Sequence, residues 1–377
     1  MAGELQILDE AMEQELLSLP TPLAFIDFEA FMNSDLIIPG AMTTETIPCQ
    51  WSCHMLYDHC PGGEGWEGNL DHYEFLWTGD IGWSPVYAFV QSLYEATLDA
   101  STILIYTSYE TRCLNICKQL VQNDIDALDS GLIIPDYVVV NCDGEKVPLT
   151  HELVADIQDM CDQIEARFYD MCPRGYDKGG VTKWIQSTNF HRSHSIKKVL
   201  PAANAEYSRT VELLLSEGLP ENGYEGLGRI HDGKTCTDTY RHALNRPTRS
   251  DAEFWADGNA PFDPSVEYEC LRYCKLDTLA MVIVYLAVLE ATETWREAAE
   301  IDPAEFARFF DDDMFHSILT DADNQVFYKE CDPWTEYPYD TEIEWLTQSE
   351  VNNLPIREMY SYICPDCRRA RNDAGWR

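Results

Sequence analysis

The stretch Pro22-Leu23-Ala24-Phe25-Ile26-Asp27-Phe28-Glu29-Ala30-Phe31 is the strongest constraint on what this chain can fold into. Apolar and aromatic residues run through it almost unbroken behind Thr21-Pro22, which predicts a buried β-strand over 22–29. Asp27 and Glu29 interrupt the run. Residues i and i+2 of a strand share a face, so two carboxylates emerge side by side from a core element. Like charges placed there repel and resist desolvation unless a cation lies between them. An all-oxygen pair of this kind suits Mg²⁺ or Mn²⁺. Alone, D-x-E on a strand more often marks a strand end whose acids reach water, so the rest of the chain must decide.

Around this strand the pattern predicts an α/β chain. Residues 5–18 have rough helical spacing and predict a short leading helix. Pro48–Met55 and Tyr73–Trp77 are aromatic and β-branched enough for a second and third strand. Pro85–Leu98 reads as a helix behind Ser84, Thr102–Tyr106 as a fourth strand, and about Tyr109 to Val121 as another helix. Such an order predicts a mixed sheet with helices on its faces. The chain then turns helical: His151–Tyr169, Ser195–Ala203, Thr237–Leu244 and a long helix from Ser265 to about Ala298. The expected organisation is a leading helix over 1–20, a core domain over 21–298, and a largely helical C-terminal appendage over 299–377.

With 377 residues, 45% of them hydrophobic, the chain can bury a real core, which excludes global disorder. No apolar run reaches the roughly eighteen residues of a membrane span, Leu279–Leu289 being the nearest. The acidic, polar start Met1-Ala2-Gly3-Glu4 is unlike a secretory signal, so a cytoplasmic protein without a membrane partner is expected. The 14 cysteines are scattered through predicted helices and strands, as small buried hydrophobes are. Cys364 and Cys367 form one C-x-x-C, half of a zinc site that Cys331 and His316 complete only at irregular spacing. A pair of free thiols is the expectation there.

Acids number 66 against 26 bases, only 9 of them Lys, for a net charge of −40. An acidic, lysine-poor surface around a normal core reads as adaptation to high salt, where screening removes self-repulsion. The melting temperature is therefore expected to rise with KCl into the molar range at fixed Mg²⁺. A melting temperature unchanged or lower at about 2 M KCl would sink this reading.

Two further sites join the acid pair. Tyr273 and Asp277 lie four residues apart on the long helix, hence on one face. Glu110 follows the fourth strand at the first turn of a helix. Each is ordinary alone, since Y-x-x-x-D is usually a surface hydrogen bond and a first-turn Glu is ordinary capping. Four carboxylates around one point, however, have no structural reason to converge, whereas two divalent cations would neutralise them. Such a pair of ions stabilises both the attacking water and the leaving oxygen of an in-line phosphodiester displacement.

In this order and on these elements, the pattern resembles the DEDD exonucleases, the DnaQ-like branch of the ribonuclease-H-like fold, in the subtype with a tyrosine in the third motif. More closely, it is similar to a bacterial family of uncharacterised domains assigned to that superfamily. The residues that carry this are Asp27-Phe28-Glu29, Ile105-Tyr106 leading to Tyr109-Glu110, Arg167-Phe168-Tyr169-Asp170, Ser195-Ile196-Lys197-Lys198-Val199-Leu200-Pro201 and Tyr273-Cys274-Lys275-Leu276-Asp277-Thr278-Leu279-Ala280-Met281. The resemblance spans about residues 20–290 and implies a ribonuclease-H-like sheet, two Mg²⁺ or Mn²⁺ ions and removal of nucleotides from a 3′ end. Asp27, Glu29, Glu110 and Asp277 match its metal ligands, with Asp27 bridging both ions and Tyr273 orienting the water. The second motif departs from the superfamily: Thr107 and Glu110 stand where Asn and Asp are usual.

A nuclease this acidic must still hold a polyanion, DNA or RNA. No Asp or Glu occurs from Lys178 to Ala205, a stretch holding Lys183, Arg192, Lys197 and Lys198, nor from Thr239 to Ser250, which holds Arg241. These bases are the expected nucleic-acid contacts, with Trp184, Phe190 and Tyr240 available to stack on bases. The alternative for Lys197 and Lys198 is a solvated helix face, and His191 and His194 are expected to add to that polar surface rather than bind metal. Against the nuclease stand two rivals, an inactive nucleic-acid-binding module with the same fold and an acidic mimic of DNA.

Overall fold

A computed structural model of the chain describes residues 6–7, 11–33, 41, 46–57, 69–79, 83–133, 137–173, 180–186, 194–206, 210–245, 262–291, 325–328 and 344–347. Contacts within the chain divide it into two units, Met1–Gly62 with Leu70–Ala291 and Gly63–Asn69 with Thr292–Arg377.

The first unit is built on a five-stranded mixed sheet. Its strands are β1 (Leu23–Met32), β2 (Thr46–Leu56), β3 (Leu70–Leu76), β4 (Thr102–Ile105) and β5 (Phe168–Asp170). They lie in the order β3-β2-β1-β4-β5, with β1, β2 and β3 antiparallel and β4 and β5 continuing parallel to β1. The near-continuous apolar run of β1 follows from this central place, where both faces are covered. Phe28 meets Phe89 on one side of the sheet, while Phe25 meets Tyr285 on the other.

Among the described residues the longer helices around it are α1 (Ala11–Leu17), α2 (Val86–Ala96), α3 (Tyr109–Asp129), α4 (His151–Glu165), α5 (Ile196–Glu206), α6 (Thr210–Ser216), α7 (Gly233–Asn245) and α8 (Pro264–Ala291). Helices α2 and α3 pack on the Phe28 side with α4 against them. Helix α8 packs across β1, β2 and β3 on the Phe25 side, flanked by α5 and α7. Its second half, Leu276 and then Leu279 to Leu289, is buried all round, as a helix without a polar face must be. Among the described residues no helix is long and apolar enough to cross a membrane. The strand order and the helices on both faces are consistent with a ribonuclease-H-like α/β fold.

The structure departs from the sequence expectations in four places. The helix expected over His151–Tyr169 stops at Glu165, and Phe168–Asp170 becomes the edge strand β5. Pairing with β4, such as Ile103 with Phe168, overrides the helical pattern, and Arg167 pins the turn by donating to the Ala100 carbonyl at 2.9 Å. The leading helix begins only at Ala11, because Gln6–Ile7 pairs with Ile185–Gln186. Helix α7 starts four residues before Thr237, where the Asp232 carboxylate caps the Thr235 N–H at 2.7 Å. A small hairpin, Val138–Val140 with Lys146–Pro148, was not legible at all.

In the second unit, Gln325–Tyr328 and Glu344–Thr347 pair antiparallel. Apart from these two strands, the appendage expected over 299–377 lies outside the described residues, as do residues 292–298, His316, Cys331, Cys364 and Cys367. The cysteines of the first unit that are described are free thiols, and most are buried, as expected.

Candidate metal centre

Alternation along β1 turns Phe25, Asp27, Glu29 and Phe31 toward the side occupied by α7 and α8. The Cys274 thiol lies 3.6 Å from the Asp27 carboxylate, and Phe31 meets the Tyr240 ring. Glu29 reaches the start of α7, where Gly233 leaves the room: a Cβ there would sit 3.2 Å from Glu29 Oε1. On α8, side chains of β2 fasten the turns that carry the third motif. Gln50 Nε2 donates to the Cys270 carbonyl at 2.7 Å, and Thr278 Oγ1 lies 2.9 Å from Ser52 Oγ and 2.8 Å from His54 Nδ1. Asp277 is thereby held over β1. Carboxylate oxygens of Asp27, Glu29 and Asp277 all come within 4.8 Å of one another. This approaches the ~4.2 Å that separates opposite oxygens around one Mg²⁺.

Glu110 is the fourth predicted acid. It is buried at 2% exposure in the first turn of α3, after a sharp turn in which Thr107 adopts φ 131°. A β-branched residue rarely takes that conformation, so the junction between β4 and α3 holds its shape under strain. Glu110 lies near enough to Asp27 for the two acids to repel each other, yet it does not join the mutual cluster of the other three. Its Oε2 is buried with no hydrogen-bond donor. Neighbouring buried carboxyls of like charge favour a proton or a cation close by.

The electrostatics agree. Burial first, and then Asp277, raises the Asp27 carboxyl well above its ordinary range. Burial and then Asp27 does the same to Glu29 and to Glu110. Asp277 is raised by burial and restrained by Lys197 and the hydroxyls of Tyr224 and Tyr273. Three carboxylates within reach of one another that resist ionisation together, beside a fourth with an orphaned oxygen, fit a hard divalent cation. The cleft they line has a volume of about 520 Å³.

Two residues at this centre, Tyr224 and Gly233, escaped the sequence reading, and the expected Lys197 makes a contact that was not foreseen. Tyr224, on a turn far from any periodic segment, donates a short hydrogen bond to Asp277 Oδ1. No local signal marks it. Gly233 was missed because the expected helix began only at Thr237, and nothing local marks it as the neighbour of Glu29. Lys197 was expected among the substrate-binding bases, yet its Nζ donates to Tyr273 Oη at 2.7 Å inside the cleft. Lys198 beside it is exposed. Arg241 is half-buried with Asp238 3.8 Å away, eight residues along α7 from Gly233 and so about 12 Å from the site by helical rise. Tyr240 is fully buried, its hydroxyl given to the Trp77 carbonyl at 2.6 Å, so it belongs to the core and is not free to stack on a base. The side chains of Lys183 and Trp184 lie outside the description, as do Phe190, His191 and Arg192. His194 is exposed, and its carbonyl accepts from Tyr106 Oη at 2.6 Å.

Fold and site thus define an α/β domain whose central strand and longest helix build an acidic cluster able to hold a metal ion. The model of a family described as a domain of unknown function, DUF2779, matches residues 24–174, which include Asp27, Glu29 and Glu110. This match covers less than half of the chain. No curated protein matches it.

Proposed function

We propose that the protein is a metal-dependent nuclease that hydrolyses phosphodiester bonds of nucleic acid, removing nucleotides from a 3′ end as the resemblance implies. The observation that carries this reading is the approach of three carboxylates, two from β1 and one from α8, with Tyr273 one helical turn before the last. Asp27, Glu29 and Asp277 would hold the cation, and Glu110, the neighbouring buried acid, would serve a second. Bound divalent cations supply charge neutralisation for the attacking and leaving oxygens of phosphoryl displacement.

The chain's own groups do the rest. Tyr273 is no base: burial first, then Asp277, keeps its phenol protonated far above neutral pH. It acts by direction, its hydroxyl placed to orient a water beside the acid cluster. Tyr224 holds one oxygen of Asp277 and so fixes the carboxylate's rotation. The exposed Lys198 at the start of α5 offers a phosphate contact next to the cleft.

The test is direct. Single-stranded DNA and RNA labelled at the 5′ end are incubated with the protein and Mn²⁺, and a ladder shortening from the 3′ end is expected with at least one. Excess chelator should abolish it. Binding without any product from either strand would favour the inactive-module reading instead.

A further inference from the structure

Lys197 sits where its helix least favours it. It lies in the first turn of α5, which carries no acid, and a cation there opposes the positive end of the helix dipole. Its side chain nevertheless turns into the cleft. The ammonium lies 4.8 Å from the Tyr273 ring centre and 5.5 Å from that of Tyr224, and it donates to Tyr273 Oη at 2.7 Å. Tyr224 hydrogen-bonds Asp277 directly, and Tyr273 lies one helical turn before it on α8. The segment before α5 is pinned by the Tyr106 hydroxyl on the His194 carbonyl, so the position of Lys197 is built in. Lys197 acts electrostatically on Asp27, Glu29 and Asp277 together, in each case favouring the ionised form.

We propose that Lys197 is the resident counter-cation of the acid centre, its ammonium held beside the carboxylates on the two tyrosines, and that it competes with a divalent ion bound there. This rests on the metal-centre reading above. In the metal-free protein the ammonium offsets the repulsion of the three acids and ties up the Tyr273 oxygen. Displacing it frees that oxygen for the nucleophilic water. Lys197 is thus a positioning residue whose release is coupled to metal binding, a role distinct from a surface contact to phosphate.

The test uses the full chain and Mn²⁺ alone, with no substrate. Calorimetric titration compares wild type, Lys197→Met, Lys197→Arg and Lys198→Ala at constant ionic strength. Removing the competing charge should tighten Mn²⁺ binding by about tenfold, the effect of a unit and a double charge ~6 Å apart under water-like screening. Lys197→Arg, which keeps the charge, and Lys198→Ala should leave the affinity within about twofold of wild type. In a second readout, metal-free Lys197→Met should melt below wild type, and the gap should shrink when Asp277→Asn is added to both. Should Lys197→Met fail to fold, Lys197→Gln, which keeps a donor without the charge, takes its place. Unchanged or weaker Mn²⁺ binding in the neutral variant overturns the exchange, as does an equal gain in Lys198→Ala. If wild type binds Mn²⁺ normally, such a failure is of the exchange alone. If wild type takes up no ion, the metal-centre reading fails and the exchange falls with it.

Discussion

Asp27→Asn is expected to abolish Mn²⁺-dependent cleavage while leaving the metal-free fold as stable as wild type, or more so. Asp27 is the residue on which the other acids converge, close to Glu29 and Asp277 and acting electrostatically on Glu110. Asparagine keeps the shape and loses the charge. Turnover should fall by at least ~10³-fold, beyond the ~10–100-fold that loss of a mere supporting partner costs at a metal site. The stability gain follows from linkage. Each of these carboxyls has a folded pKa raised above its unfolded value, so the folded state binds more protons and stability drains away as pH rises through the raised values. Removing one acid relieves that repulsion, and each kcal/mol regained raises the melting temperature by ~2–4 °C in a domain of this size.

The pH window must be chosen with His54 and His72 in mind. Burial lowers both, His72 to about 2, so their contribution has the opposite sign and is lost as pH falls below the ordinary histidine range. Between about pH 7 and 8 the histidines are largely neutral in both states, and comparing wild type with Asp27→Asn cancels the buried thiols common to both, leaving the effect of the Asp27 carboxyl. There the metal-free wild type should lose stability with rising pH more steeply than Asp27→Asn. Glu110→Gln should be severely impaired in the same cleavage assay, whereas Glu110→Asp keeps activity. Normal cleavage by Asp27→Asn would falsify the nuclease reading; a normal Glu110→Gln alone would mean that the second-motif acid is misplaced.

What the sequence made legible was what local periodicity encodes. The apolar run of β1 announced a buried strand, and the i, i+2 rule put Asp27 and Glu29 on one face. The i, i+4 spacing did the same for Tyr273 and Asp277 on α8. What stayed hidden depends on partners distant in the chain. β5 is a strand because β4 lies beside it, not because Phe168–Asp170 differs from the end of a helix. Tyr224 reaches Asp277 across 53 residues from an irregular turn. The acid-free stretch around Lys197 was visible, but not the direction of its side chain. Tyr240 misled for the same reason: its basic neighbours suggested a nucleic-acid surface, while packing against Phe31 and Phe262 placed it in the core.

The second large effect is also the most direct test of the central claim, that Asp27, Glu29 and Asp277 form one cation site. Mn²⁺ is titrated into metal-free wild type and Asp277→Asn at pH 7, in two buffers of different ionisation enthalpy. Burial and mutual repulsion favour the protonated carboxyls, whereas the ion binds them ionised, so binding is expected to release protons. Saturable binding in the wild type is predicted, with heats that differ between the two buffers. In Asp277→Asn, whose fold is secured by the rest of buried α8, affinity should fall by ~10²-fold or more. A wild type that takes up no Mn²⁺, or an Asp277→Asn variant that binds it equally well with the same proton release, would contradict the account.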